Sequence, residues 1–221
     1  MPKAPPYTTL TTMPEPQELV LIRHGQSTAN ATGVWQGQLE FTLSEEGRRQ
    51  ARLAGRALAV ERLDGLYSSP LSRAFETAEI ISCEAGFPGD VIAVEGLMER
   101  QGGLLEGTTL AEREARYPAL MKKLLSIPEE ESWVVVGAET DEEVLARFEQ
   151  SISEIRARHA AGARMVVVSH GGAMRAFLRD RFGPEILPGT ERAPNASITR
   201  VVWGTDGRPR LSELASVGHL V

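Results

Sequence analysis

A three-layer α/β/α fold around a mostly parallel sheet is what this 221-residue sequence predicts, on three observations. Short apolar runs alternate with amphipathic stretches, the order that lays helices over both faces of a parallel sheet. Two of those runs, at 18–22 and 165–168, are almost unbroken in apolar residues, as strands buried on both faces are. Both stop abruptly at polar, chemistry-bearing residues: Arg23-His24-Gly25 after the first and Ser169-His170-Gly171-Gly172 after the second. In such sheets ligands bind outside the carboxyl ends of the strands, so the two histidines are expected to meet across one crevice.

Taken in order, residues 1–16 carry five prolines and read as a flexible tail, with a single domain over 17–221. The first strand, 18–22, ends at Arg-His-Gly, where Gly25 permits a sharp turn, and small polar residues and an irregular loop around Trp35 and Gly37 follow. Thr42-x-x-Glu45, or Ser44 with acids in the first turn, opens a helix whose apolar face is Ala51, Leu53, Ala54, Ala57 and Leu58. Residues 63–67 form a strand closed by Ser68-Ser69-Pro70, and a helix over 71–83 carries Arg73 in its first turn. A strand at 91–94 precedes a glycine-containing loop, 96–107. Residues 108–127 are helical with a break near Pro118, and their weak apolar pattern suits a helical cap, about 104–140. Thr140-x-x-Glu143 is a capping box for a helix to about 159, which Gly162 follows. After the second apolar run a helix continues to 181, where Gly183-Pro184 stops it. Residues 197–203 and 210–214 alternate as strands of a hairpin turning at Asp206-Gly207.

Composition narrows the function. A net charge of −6 argues against nucleic-acid binding, and an anionic ligand would have to be drawn in by a local basic cluster. Cys83 is the single cysteine, which excludes an internal disulfide and suits a reducing compartment. It reads as a small inert hydrophobe. No apolar run approaches the length of a membrane span, and the expected location is cytoplasmic.

Four positions carry the chemistry. His24 becomes a nucleophile if one ring nitrogen is fixed as a donor and the other lone pair points outwards. Arg23 beside it disfavours a metal site there. Arg73, at a helix start, sits at the wrong end of the helix dipole unless an anion is near, and its planar donors suit two phosphate oxygens. His170, flanked by glycines that clear space, can hold an oxygen that gains charge during transfer. Glu99, in a glycine-rich loop, could protonate a leaving oxygen if placed among anions; on composition Glu95 and Glu106 are its rivals. His159, His219, Trp133, Trp203 and Lys122-Lys123 read as a helix end, a tail residue, packing and a solvated face.

With Arg23-His24-Gly25, Ser68-Ser69-Pro70-Leu71-Ser72-Arg73-Ala74, Glu99 and Ser169-His170-Gly171-Gly172 in that order, the chain resembles the histidine phosphatase superfamily, which includes the phosphoglycerate mutases, from about residue 18 to 203. The resemblance implies a phosphoglycerate mutase-like fold, a phosphohistidine at His24, Glu99 as proton donor, and a phosphate pocket of Arg23, Arg73 and His170. Asn30, Gln36, Gly37, Arg100 and Gly171 match further substrate or phosphate positions, and Glu139 and Asn195-Ala196-Ser197 match less specific ones. It implies no metal and no cofactor. The expected partner is a small phosphorylated metabolite, with no nucleic acid and no membrane; a homodimer is the one further partner it allows.

Mutases of this family carry a longer, more basic insertion after the Glu99 loop. Here residues 108–140 are short, with only Arg113, Arg116, Lys122 and Lys123 as basic residues. That favours a phosphatase over a 2,3-bisphosphoglycerate-dependent mutase, although Glu99-Arg100 is the pair that mutases have. A non-catalytic phospho-ligand binder is the third reading, and it is disfavoured because all four charged positions are retained.

Overall fold

A computed structural model describes residues 15–188 and 192–221. The expected tail falls almost wholly outside the described residues. Strands β1 (Gln17–Arg23), β2 (Gly65–Ser68), β3 (Val91–Ala93), β4 (Arg164–Ser169), β5 (Ile198–Trp203) and β6 (Pro209–Ser216) form one sheet in the order β3-β2-β4-β1-β5-β6. The pairings β3–β2, β2–β4 and β4–β1 are parallel, and β5 and β6 add antiparallel strands at one edge. The β5–β6 hairpin forms as expected, with Gly207 in the left-handed conformation at φ 73°.

Alternation along the buried strands sets up the three layers, because successive side chains leave a strand on opposite faces. On one face Leu19, Leu21, Met165 and Val167 pack under α7 (Asp141–Ala157) and α8 (Gly171–Phe182), meeting Phe148, Ile152 and Phe177. On the other face Val20, Ile22, Leu66, Val166 and Val168 pack under α2 (Glu45–Leu58) and α3 (Ser72–Ala85), meeting Ala54, Leu58, Ala78 and Ile81. At roughly 1.5–3 kcal/mol for each large aliphatic side chain buried, these two clusters anchor the strand ends that carry the site.

The boundaries follow local chemistry. Ser44, not Thr42, caps α2, its side chain accepting from Gly47 N. Thr140 caps α7 in a capping box with Glu143. A short helix that the sequence pattern does not predict, α1 (Thr28–Thr32), occupies part of the stretch of small polar residues and loop. Ser27 caps it, with Asn30 returning the bond in a capping box, and five residues are too few to show a helical period.

The cap consists of α4 (Leu110–Arg116), α5 (Pro118–Leu124) and α6 (Glu129–Val136), with the break at Tyr117 just before Pro118. The helix over 129–136 lies beyond the stretch, 108–127, that the sequence predicts as helical. The cap has its own small core of Leu105, Trp133 and Val136, against which Trp35, Leu120 and Leu124 pack. Cys83 corrects an expectation: it is exposed on α3, not packed as a hydrophobe. Among the described residues, no helix is long and apolar enough to cross a membrane.

Candidate active site

The parallel register of β1 and β4 brings the histidines together. Ile22 lies opposite Val168 and Arg23 opposite Ser169, so the next residues, His24 and His170, leave the sheet side by side. Their ring centroids are 5.0 Å apart. The crevice inferred from two strand ends therefore exists, and it opens into a cavity of about 710 Å³ that His24 lines.

His24 is 2% exposed, and its Nδ1–H donates to the Gly25 carbonyl at 2.7 Å. That bond fixes the tautomer and leaves Nε2 with its lone pair. Burial first, then the positive charges of Arg73 and Arg23, push the His24 pKa well below its ordinary 6.5, so the ring is neutral. Gly25 is needed for a different reason than a turn: a Cβ there would come within 2.4 Å of the Gly47 carbonyl oxygen, where the start of α2 presses on the loop. The Gly25 amide donates to Thr77 Oγ1 at 3.1 Å. From the other side, Ala196, at φ 55°, donates its amide to the Arg23 and His24 carbonyls, and Asn195 Nδ2 donates to His24 O at 3.0 Å. His219, read as a tail residue, hydrogen-bonds the Ala196 carbonyl at 3.0 Å and so joins this support.

His170 is fully buried, and its Nε2 pairs with Ser69 Oγ at 2.8 Å while Nδ1 has no partner among the described residues. Burial, with Arg73, His24 and Arg23 adding to it, pushes its pKa well below 6.5. Arg73 is also fully buried, donating from Nη1 to Leu39 O at 2.9 Å and from Nη2 to Gly37 O at 2.7 Å. Gly37 has φ 54°, and a Cβ there would strike the Glu106 carboxylate, so only glycine presents that carbonyl to Arg73. Arg23 donates to Ala193 O at 2.6 Å, and burial lowers its pKa to about 10. The Nε atoms of Arg23 and Arg73 are buried without a partner among the described residues, a costly state for a cation unless a ligand completes it.

Of the three rival carboxylates, Glu99 faces the cavity. It accepts from Arg100 N at 2.8 Å, Gly172 N at 3.0 Å and Ala173 N at 3.0 Å, and so caps α8, whose own N-cap residue, His170, makes no side-chain capping bond. Gly172 leaves it room, since a Cβ there would lie 2.5 Å from Glu99 Oε1. Glu95 is exposed, and Glu106 is held by Gln38 N and Gly102 N.

Asn30, Gln36, Gly37 and Gly171 all line the cavity. Asn30 Oδ1 accepts from Ser27 and Asn195, and Gln36 Oε1 accepts from Ser27 Oγ at 2.7 Å, so each side chain is held by its carbonyl end. Arg100 also lies in the wall, but its guanidinium is spent on the Glu139 carbonyl, Asp141 and the face of Trp133 at 4.4 Å. Glu139 in turn pairs with Arg147 at 2.8 Å.

Sequence reasoning missed two cations. Arg192 lines the inner cavity. Arg147 donates to the carbonyls of Gly96, Met98 and Glu99 and clamps the loop that carries the acid. No local pattern marks this clamp, because the carbonyls that Arg147 holds lie at least 48 residues away in sequence. Trp133, read as packing, packs and also lines the cavity. Among the described residues no three His, Cys, Asp or Glu side chains converge to hold a metal ion.

Comparison with known proteins agrees with this geometry. The family described as "Histidine phosphatase superfamily (branch 1)" matches residues 19–216. A metal-independent phosphoserine phosphatase of Arabidopsis thaliana is 35% identical over 213 residues, covering 93% of this chain and 87% of that protein. A 2,3-bisphosphoglycerate-dependent phosphoglycerate mutase of Methylobacterium sp. is 34% identical over 183 residues, covering 78% of this chain and 85% of its own. The solved structure of a mycobacterial glucosyl-3-phosphoglycerate phosphatase superposes with a TM-score of 0.78 at 28% identity, covering 92% of this chain and all of that one. Two buried histidines on adjacent strand ends, two buried arginines and a match over nearly the whole chain have one reading: the protein belongs to the histidine phosphatase superfamily, branch 1.

Proposed function

We propose that the protein hydrolyses phosphomonoesters of small molecules through a phosphohistidine at His24, without a metal. The observation that carries this is the pairing of His24 Nδ1–H with the Gly25 carbonyl, which leaves Nε2 as a neutral nucleophile in a cavity also lined by Arg23 and Arg73. Nε2 attacks phosphorus as the bond to the alcohol oxygen breaks, and Glu99 gives that oxygen its proton. Water then attacks the phosphohistidine with Glu99 as base; the P–N bond breaks and inorganic phosphate leaves. Arg23, Arg73 and His170 hold the equatorial oxygens in both steps. Their unpartnered nitrogens, Nε of each arginine and Nδ1 of His170, are the groups a phosphate would satisfy.

Hydrolysis is preferred to mutase chemistry. The Arabidopsis and mycobacterial relatives are named as phosphatases. The mutase-like Glu99-Arg100 pair adds no cation for a second phosphate, because Arg100 is committed to Glu139, Asp141 and Trp133. We place the reaction in the cytoplasm, where a single exposed thiol stays reduced.

The test is phosphate release from a panel of phosphomonoesters, with and without 2,3-bisphosphoglycerate and with EDTA. The expected result is release that EDTA does not touch, with a transient 80 Da adduct on His24 by intact mass (about the mass of a phosphoryl group added in the first covalent step). Isomerisation of 3-phosphoglycerate stimulated by the bisphosphate would make the protein a mutase instead. Loss of activity in EDTA that added metal restores would overturn the metal-free mechanism.

A further inference from the structure

We infer that the alcohol half of the substrate is a bulky, largely apolar group and not a three-carbon acid. This rests on the phosphatase reading above and concerns the other end of the same cavity. The inner wall is cationic and polar, but the outer wall is built from Trp35, Leu105, Leu124, Leu125, Ile127 and Trp133. The Trp35 and Trp133 rings pack at 5.8 Å between centroids, tilted by 54°. Helix α5 has no buried residue, and Leu125 just beyond it is 89% exposed beside the cavity. Leu105 and Trp133 are buried in the cap core, but Trp35, Leu124 and Ile127 are only half-buried, and such side chains around a concave site gain by covering themselves with an apolar ligand.

Size and charge point the same way. A cavity of about 710 Å³ falls in the range of roughly 300–1,000 Å³ that takes drug-sized ligands, far more than phosphate and three carbons occupy. A small acid would also need a second cation close to the phosphate. Arg100 is spent inside the wall, and Arg175 is paired with Glu129, whose carboxylate lines the same cavity and repels a second anionic group. Arg192, at the inner end, has the Glu99 and Glu129 carboxylates acting on its charge, and Arg113, whose Nε donates to the Thr109 carbonyl, lies in the cap, over the Trp35 ring at 5.6 Å.

Primary alkyl phosphates from ethyl to octyl test this, because their leaving groups are nearly equivalent and chain length isolates binding. We expect kcat/KM to rise about fourfold per methylene, equivalent to about 0.8 kcal/mol for each one buried, until the wall is reached, and octyl phosphate to exceed phosphoserine and 3-phosphoglycerate at least tenfold. Leu124→Asn should flatten the slope to about twofold per methylene, and Leu124→Met should restore it. Non-hydrolysable alkyl phosphonates, read by quenching of tryptophan fluorescence, repeat the series without catalysis. If no ester is hydrolysed but phosphonate binding tightens with chain length, the hydrolytic reading fails and this one stands. A series flat in both measurements, or a preference for phosphoserine or 3-phosphoglycerate over octyl phosphate, overturns it.

Discussion

At the inner end of the cavity, His24 and His170 stand on adjacent strands packed on both faces by fully buried aliphatic side chains, whereas the cap closes around three buried residues, Leu105, Trp133 and Val136. The inner side chains are over-determined. Arg73 is locked by two carbonyls, His24 by its own Gly25 carbonyl, and Glu99 by three amides and the Arg147 clamp on its loop. Cap helices α4 and α5 span only seven residues each, and exposed Leu110 in α4, Leu125 just past α5 and Val134 in α6 show how little the cap buries. A rigid inner end can present donors at fixed positions to a developing charge. A lightly anchored cap can accept substitution without disturbing those positions, so selectivity and chemistry are separable in this molecule.

That separation can be broken by substitution at either end. His24→Ala should remove turnover of every phosphomonoester alike, by roughly 10⁴- to 10⁶-fold, as loss of a covalent nucleophile does elsewhere, with the circular dichroism spectrum unchanged. Aryl phosphate turnover within a hundredfold of the wild type would show that His24 is not attacked.

Arg73→Gln should lower kcat by roughly 10²- to 10³-fold, the usual effect of removing one donor to a transition-state oxygen. It should also cost about 1–3 kcal/mol of stability, because the Gly37 and Leu39 carbonyls lose their donors. Equal losses across the substrate panel would sharpen the comparison; a loss confined to one alcohol class would mean that Arg73 serves recognition. Glu99→Gln should slow alkyl phosphates by roughly 10²-fold and aryl phosphates, which need less help from an acid, by much less. A steady-state comparison of ethyl and 4-nitrophenyl phosphate decides this, and equal losses would remove Glu99 from the leaving-group step.

The smallest expected effect is on stability against pH. In the unfolded chain each histidine titrates near 6.5, but burial beside Arg73 and Arg23 holds both native values well below that. Between those limits the unfolded state binds protons that the native state does not. Stability is therefore full above about pH 6.5 and falls as pH drops, by up to about 1.36 kcal/mol per pH unit for each histidine. Denaturant melts at pH 7.5 and 5.5 measure it, and equal stabilities would mean that the native imidazoles take up protons over the same pH range as the unfolded ones.

Much of the inner end was legible before any coordinates. Unbroken apolar runs ending in Arg23-His24 and Ser169-His170 mark strand ends through local composition, and Thr140 with Glu143 marks a helix start through spacing. The first turn of α3 likewise holds Arg73, the position that called for a nearby anion. The cap was poorly legible: α6 has no one-sided apolar face to display, and Leu125 and Val134 are exposed apolar residues that mimic no buried stripe. Arg147 and Arg192 left no local trace, since what distinguishes them is the company they keep across the fold.

By itself, then, the chain determined the layered α/β architecture, the two histidines and Arg73, because periodicity, capping and abrupt strand ends are local properties that neighbouring residues encode. Glu99 was singled out by the family resemblance, while residue pattern alone left it level with Glu95 and Glu106; tertiary structure alone decided that the Arg100 guanidinium is engaged by Glu139, Asp141 and Trp133, and that Trp35, Trp133 and Leu124 form one apolar wall. Those outcomes depend on which segments meet after the sheet closes, and residues separated by dozens of positions carry no mark of that meeting until packing brings them within reach.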